Sequence, residues 1–134
     1  ADDAVRKATM KLAGKYVFLF GSNMALRATA WDRVRDEVCP DREDLMHEDL
    51  DLSVHLAVVG LKVGYAPAMI AGISARRMDT SPRDYLFYVN RFERTYAAHG
   101  IRDVGALAPM AVLISIYPFV HLQRAVEQRL NPIE

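Results

Sequence analysis

The sequence contains a single cysteine and no excess of charge of either sign. Cys39 alone cannot form an internal disulfide bond or a zinc site built from several cysteines, and it is compatible with a reducing compartment. The 17 lysines and arginines balance the 17 aspartates and glutamates, so no overall basic field indicates nucleic acid as a partner. No internal repeat or low-complexity tract occurs. The functional class must therefore be inferred from local features.

The apolar pattern predicts one domain with a mixed α/β fold. At 134 residues, of which 51% are hydrophobic and 25% charged, the chain is long enough for one core but hardly for two. The apolar run YVFLF at residues 16–20 predicts a buried strand, and two more short extended segments are predicted at residues 61–67 and 69–75. A first helix is predicted for residues 3–12. A second begins at Thr29 or earlier, since Thr29-Ala30-Trp31-Asp32 has capping-box spacing, and ends at about Cys39. A third runs from Ser81-Pro82 to about His99.

Three acids crowd the stretch HEDLDLS, which runs from His47 to Ser53. Polar and apolar residues alternate from Asp49 to Leu56, as they would in a half-exposed strand. We favour a helix from about Glu48 to Val59 instead. Acids in its first turn would complement the helix dipole, and Gly60 stands where a C-terminal cap belongs.

The acids Glu48, Asp49 and Asp51 have several possible roles. The simplest is to stabilise the helix end, at about 0.3 to 1 kcal/mol each. A metal-binding Asp-x-Asp pair is rejected, because residues two apart on a helix point about 200° away from each other. The remaining possibility is that one aspartate alone faces a cleft as a general base. From the residue types, the first and the last interpretations both stay open.

Three segments follow one another in an informative order: FLFGSNMALRATAWDRV, HEDLDLSVHLAVVGLKVGYAP and RRMDTSPRDYLFYVNRFERT. Together they resemble the C-terminal half of a family 2 glycosyltransferase of the GT-A fold, over Phe18 to Gly100. The resemblance implies an inverting transfer of a sugar from a nucleotide-sugar donor to a lipid or saccharide acceptor. It also implies that Asp49 is the catalytic base, that Glu48 precedes it in the motif, and that Asp51 is a supporting residue.

The resemblance further implies substrate-binding roles for two other motifs. Gly21-Ser22-Asn23 is similar to the family's Gly-x-Asn turn beside the acceptor, although a simple turn explains it equally well without the resemblance. Arg91 and Arg94, three apart on one face of a predicted helix, are expected to hold the leaving diphosphate or the acceptor, with a solvated charged face as the alternative. Thr95 stands where processive polysaccharide synthases carry tryptophan, which favours transfer of a single sugar.

No segment of the sequence matches the family's nucleotide-binding half, with its Asp-x-Asp metal site. We therefore expect that half, together with a Mg²⁺ or Mn²⁺ ion, upstream of Ala1, and no metal site within the chain itself. The chain alone should then be inactive. Residues 1–100 are predicted to form the acceptor and catalytic-base part of the domain, followed by a hydrophobic tail at residues 101–134.

The tail contains Val104 to Leu122, which carries no formally charged residue and is long enough to cross most of a hydrocarbon core. Pro109 and Pro118 weaken this interpretation without refuting it. Because related membrane glycosyltransferases place such helices after the catalytic domain, we expect a membrane helix and a cytoplasmic catalytic part. A core helix and an interfacial helix are the alternatives. The rival function is a non-catalytic membrane-associated or partner-binding remnant of the same fold.

Overall fold

A computed structural model describes residues 18–72 and 75–130, and within them all regular structure is helical. The helix predicted at residues 3–12 lies outside the described residues. In chain order the helices are α1 (Ala28–Trp31), α2 (Glu48–Val58), α3 (Pro82–Val89), α4 (Arg91–Ala98) and α5 (Ala108–Leu130), with 3-10 helices at Ala75–Asp79 and Val104–Leu107.

The expected α/β fold of GT-A type is wrong for residues 18–72 and 75–130, which contain no β-strand. Residues 18–20, the described part of the first predicted strand, have no regular structure. The N–H groups of Leu19 and Gly21, which alternate as ladder donors would, donate instead to α2 side chains. Leu19 bonds to Ser53 Oγ at 2.8 Å and Gly21 to Asp49 Oδ2 at 2.8 Å. Side-chain acceptors thus take the place of a neighbouring strand.

The two other predicted extended segments also lack strand pairing where they are described. Residues 61–66 and 69–72 have no regular structure, and a turn between them closes with Met69 N–H donating to Ala66 O at 3.0 Å. These segments are largely exposed, and Ile70 is 88% exposed. Without a buried face or a paired neighbour, nothing fixes the register of a strand.

The helix predicted at Glu48 to Val59 is confirmed as α2, and it ends as its sequence indicates. Gly60 has φ +75°, a conformation that costs a residue with a Cβ about 1 to 2 kcal/mol. The N–H of Gly60 donates to Ala57 O at 3.0 Å, and that of Leu61 donates to Leu56 O at 2.9 Å. This is a Schellman cap, with Leu56 and Leu61 in the same apolar cluster.

The helix predicted after Ser81-Pro82 is present but divided into α3 and α4 at Asn90. Asn90 is a weak helix former, so a one-residue interruption there costs little. Ser81 caps α3 by accepting a hydrogen bond from Asp84 N at 3.2 Å, with Pro82 in the first turn. At the other end, Gly100 with φ +68° gives α4 a cap of the same kind as the one on α2.

The helix predicted from Thr29 to about Cys39 is much shorter than expected. α1 has only four residues, and turns continue to Glu37. The capping box is also wrong, because the N-cap is Arg27 and Thr29 lies inside the helix. The backbone N–H groups of Arg33 and Val34 donate to carbonyls three positions earlier, which tightens the chain. Val34 is thereby placed in the core, where its side chain is 1% exposed.

Among the described residues, the core is divided into three apolar clusters, and α2 contributes to two of them. Leu50 belongs to the first cluster, whereas Leu52 and Leu56 belong to the second, so opposite faces of α2 are buried. α4 packs against α2 through the first cluster. The buried members are Phe18, Leu50, Phe92, Tyr96 and Ala106 in the first cluster, Val34, Leu52 and Leu56 in the second, and Tyr85, Val89 and Tyr117 in the third.

One side of α5 packs against α3 and the 3-10 helix at Ala75–Asp79. The Tyr117 ring stacks on Tyr85 with centroids 4.0 Å apart, and its hydroxyl donates to Thr80 O at 2.6 Å. Further along, Arg124 makes a bidentate contact with Asp79, with N–O distances of 2.5 and 2.6 Å. The opposite side is apolar and exposed, with Phe119 77% and Leu122 65% exposed.

Within the described residues, one helical stretch is long and apolar enough to cross a membrane. It runs over Val104–Leu130, and 17% of its most apolar window is buried. By length and composition this stretch supports the expectation of membrane association.

Candidate functional site

Asp49 lies in the first turn of α2, where its carboxylate meets the turn that follows residues 18–20. One oxygen accepts a hydrogen bond from Gly21 N at 2.8 Å, and the other accepts from Leu50 N at 2.9 Å. A Cβ on Gly21 would lie 3.3 Å from Asp49 Oδ2 and 3.5 Å from Glu48 Oε1. Glycine therefore allows the backbone to approach the carboxylate this closely.

The environment of Asp49 raises its pKa. Burial is the main cause, because it disfavours the charged carboxylate, and the nearby charge of Glu48 acts in the same direction. The hydrogen bond from Gly21 opposes both effects without overcoming them. A helix N-terminus favours an ionised carboxylate, but burial has the larger effect on the pKa of Asp49. A raised pKa makes the ionised carboxylate a stronger proton acceptor.

The predicted Gly21-Ser22-Asn23 motif forms a tight turn at the edge of this site. Asn23 N–H donates to Phe20 O at 2.8 Å, and Asn23 Nδ2 donates to Met69 O at 2.9 Å, while Ser22 is exposed. An open, mainly apolar cleft lies against the turn. Its lining residues are Phe18, Leu19, Phe20, Asn23, Met24, Ala25, Val63, Gly64, Tyr65, Ala66 and Met69.

The two arginines predicted to act together occupy different environments. Arg91 is buried, where its Nε donates to Met46 O at 2.6 Å and its guanidinium contacts the Asp44 carboxylate. Glu48 is exposed, with Oε2 at 3.9 Å from the Arg91 guanidinium. Arg94 is exposed and lies over the Phe87 ring at 4.7 Å. Asp49, Gly21, Glu48 and Arg91 are therefore neighbours through direct contacts, whereas Arg94 lies on the surface of α4.

Comparison with known proteins adds a decisive observation. A family model described as glycosyl transferase family group 2 matches residues 1–122 of the chain. The chain belongs to this family. No curated protein and no solved structure matches it. Membership indicates glycosyl transfer as the general chemistry and a transferase as the class of protein.

The structure adds three residues near Asp49 of this glycosyltransferase domain that were not among the predicted site residues. The Arg77 guanidinium lies 4.0 Å above the Tyr88 ring, and the Tyr88 ring meets His47 edge-on at 4.9 Å. Burial raises the pKa of Tyr88, and the charges of Asp49 and Glu48 add to that rise. Burial also lowers the pKa of His47 to about 4, so its imidazole is neutral near pH 7. In the sequence, the only indication of these residues was the Arg-Arg pair at 76–77, and such a pair is also typical of a solvent-exposed sheet edge.

Asp51 points away from the candidate site of the glycosyltransferase domain into the protein. It is 3% exposed, and its carboxylate accepts from Cys39 N at 3.0 Å and lies 2.7 Å from His99 Nε2. The hydrogen bond between Asp51 and the Cys39 thiol is the first of the causes that raise the pKa of that thiol to about 11.

Proposed function

We propose that the chain provides the acceptor-activating part of an inverting glycosyltransferase, with Asp49 as the general base. The observation that carries this proposal is the Asp49 carboxylate, held by Gly21 N–H at 2.8 Å with a pKa raised by burial. A base needs a fixed position and an affinity for protons, and this carboxylate has both. Family membership supports glycosyl transfer as the reaction that the base would serve.

In the proposed reaction, an acceptor hydroxyl gives its proton to a carboxylate oxygen of Asp49. The hydroxyl oxygen forms a bond to the anomeric carbon of a nucleotide-activated sugar, and the nucleoside diphosphate leaves from the opposite side with the electrons of the broken bond. The configuration at the anomeric carbon is thereby inverted. Protonated Asp49 later returns its proton to water.

We assign the donor nucleotide and its Mg²⁺ or Mn²⁺ ion to an upstream half of the same enzyme. Family membership supports a nucleotide-sugar donor as a participant in the reaction. His47, Glu48 and Asp49 do offer ligand atoms within 4.8 Å of one another. However, His47 is buried against Phe92 and Tyr88, and Asp49 is already engaged by Gly21, so this group suits proton transfer better than a metal.

The proposed contacts to substrate phosphates and acceptor differ between the two arginines. The exposed Arg94 guanidinium is available to a diphosphate or an acceptor, and the exposed Arg77 near Tyr88 offers a second positive group. Arg91, which is engaged by Met46 and Asp44, would act mainly by positioning the loop that leads into α2. Gly21, Ser22 and Asn23 would border the acceptor at the apolar cleft.

We propose a lipid or saccharide acceptor delivered at a membrane. The cleft beside Asn23 is mainly apolar, and α5 presents an exposed apolar side. A helix of this kind keeps an enzyme near lipid-linked acceptors. In this arrangement the catalytic part lies in the cytoplasm, where nucleotide sugars are available.

The test is a transfer assay with a panel of nucleotide sugars on membranes containing the whole gene product. Asp49→Asn should keep the fold and lower turnover by about 10² or more, the usual scale for loss of a general base. Asp36→Asn, on an exposed turn, is the matched control and should turn over as the wild type does.

Turnover of Asp49→Asn within a few-fold of the wild type would remove Asp49 from this role. If the wild type transfers no sugar from any donor yet sediments with vesicles, the result would favour the rival function. That rival is a non-catalytic membrane-associated module, and the exposed side of α5 is the observation that supports it.

A further inference from the structure

Four side chains of metal-binding type converge on the side of α2 that faces away from Asp49. Cys39 comes from the loop after α1, Asp51 and His55 lie one turn apart on α2, and His99 is the C-cap of α4. Each offers one ligand atom, and these four atoms all lie within 4.8 Å of one another. Three separate segments of the chain therefore bring potential ligands to one point.

The distances among these atoms are close to those around a tetrahedral ion. His99 Nε2 lies 2.7 Å from Asp51 Oδ1, and His55 Nε2 lies 3.5 Å from the same oxygen. Zinc bonds of about 2.0 to 2.3 Å place tetrahedral ligand atoms about 3.3 to 3.8 Å apart. On binding, the separation between Asp51 Oδ1 and His99 Nε2 would lengthen by about 0.6 to 1.1 Å, and a separation at the 4.8 Å bound would shrink by about 1 to 1.5 Å.

One ligand atom of the cluster has no hydrogen-bond partner. His55 Nε2 is buried and makes no hydrogen bond, although a buried polar nitrogen is normally paired. It points toward the Asp51 carboxylate at a distance too long for a good bond. The His55 and His99 rings meet edge-on at 80°, so both Nε2 atoms share the carboxylate as a neighbour. An ion between them would satisfy the unpaired nitrogen.

We propose that Cys39, Asp51, His55 and His99 form a structural Zn²⁺ site. One thiolate, two imidazoles and one carboxylate suit zinc, whereas Mg²⁺ and Ca²⁺ prefer sites made only of oxygen. On binding, the Cys39 thiol releases its proton to solvent, and each imidazole coordinates in its neutral form through Nε2. The Asp51 and histidine side chains are mostly buried, which is typical of a closed structural site.

The proposed ion would connect the loop at Cys39 to α2 and to the end of α4. It uses none of the groups at the Asp49 site, so it goes beyond the proposed glycosyl transfer and does not depend on it. Because the folded chain presents the ligands together and the unfolded chain does not, binding would add directly to stability.

The test is titration of the purified, reduced chain with Zn²⁺, followed by calorimetry and by metal analysis after dialysis. We expect one zinc per chain and a melting temperature that rises with zinc and falls with chelator, with no response to Mg²⁺. Cys39→Ser and His99→Gln should each weaken zinc binding by about 100-fold or more. Loss of a direct ligand costs more than the roughly 10- to 100-fold lost with outer-shell partners.

His121→Gln is the matched control, because it removes a histidine that contacts Met78 O outside the cluster. It should bind zinc as the wild type does. Co²⁺ provides a second measurement: the wild type should show four-coordinate visible bands and a thiolate charge-transfer band, and Cys39→Ser should lose the thiolate band. Circular dichroism checks that each variant is folded.

Absence of stoichiometric zinc binding by the folded wild type would overturn the proposal. Binding that survives unchanged in both Cys39→Ser and His99→Gln would also overturn it, as would an equal loss of binding in His121→Gln.

Discussion

Asp49 and Asp51 are the same residue type, two positions apart on one helix, and they occupy opposite environments. Asp49 faces the turn at Gly21 and accepts hydrogen bonds from the backbone N–H groups of Gly21 and Leu50. Asp51 faces inward, where it meets Cys39 and His99. The helix separates them by about 200°, so a sequence pattern that reads as a metal-binding pair becomes two independent groups. The comparison shows that chemistry here depends on which side of α2 a carboxylate occupies.

The largest effect on stability should come from substitution of Asp51, which lies on the inward-facing side of α2. With chelator present, Asp51→Asn should lower the free energy of unfolding by about 1 to 3 kcal/mol, because an amide cannot replace a buried carboxylate among these donors. Asp49→Asn should change it by less than about 1 kcal/mol, since one amide oxygen still accepts from Gly21 N–H. Urea unfolding of both variants measures the difference. Equal losses would end the distinction between the two sides.

The same contrast can be applied to the arginines of α4. Arg91→Ala leaves the Met46 carbonyl and the Asp44 carboxylate without this partner, and should cost about 1 to 2 kcal/mol. Arg94→Ala should leave the melting temperature nearly unchanged but lower turnover more than Arg83→Ala, which removes an exposed arginine from α3. Thermal unfolding and the transfer assay together measure both. Equal turnover of Arg94→Ala and Arg83→Ala would reduce Arg94 to a solvated charge.

A smaller effect is expected where the backbone approaches Asp49. Gly21→Ala should lower turnover by a few-fold, because its Cβ would lie 3.3 Å from Asp49 Oδ2 and the carboxylate must shift. Gly72→Ala is the control, since a Cβ there meets nothing within 4 Å. Both variants should melt near the wild-type temperature. If both transfer sugar at the wild-type rate, the position of the turn does not matter to the base.

The pH dependence should reveal the raised pKa of Asp49. The proposed transfer requires the ionised Asp49 carboxylate, so the acidic limb of turnover should rise with pH at values above 3.8, the ordinary pKa of an aspartate. The stability that Asp49 contributes changes with pH in the opposite direction. The fold favours protonated Asp49, so its contribution is present below the pKa of the unfolded chain and is lost as pH rises through the raised value. Asp49→Asn should remove this component from both profiles, and an unchanged stability profile would contradict the shift.

Sequence reasoning predicted the features that depend on neighbours along the chain. The helix from Glu48 and its cap at Gly60 follow from local spacing and from a backbone conformation that favours glycine. The divergence of Asp49 and Asp51 follows from the helical period alone. These predictions required no knowledge of distant contacts.

Features that depend on distant partners were not predictable in the same way. The run at residues 16–20 suggested a strand, yet Leu19 in its described part bonds to Ser53, 34 positions away, and the adjacent Gly21 bonds to Asp49, 28 positions away. Similarly, Arg91 turns inward toward Asp44, 47 positions earlier in the chain. An apolar run shows that a segment is buried, but not which groups will accept its N–H bonds.

The hydrogen bond from Gly21 N–H links the position of the turn at Gly21-Ser22-Asn23 to the acid dissociation constant of Asp49. The N–H of Gly21 favours the charged carboxylate, so retreat of the turn would remove that preference and increase the proton affinity of Asp49. In the proposed reaction, an acceptor that displaces the turn would therefore increase the proton affinity of the proposed base. The acid dissociation constant of Asp49 thus depends on the distance between Gly21 N and Asp49 Oδ2. Titration of the Asp49 carboxyl by NMR would therefore follow the movement of the turn.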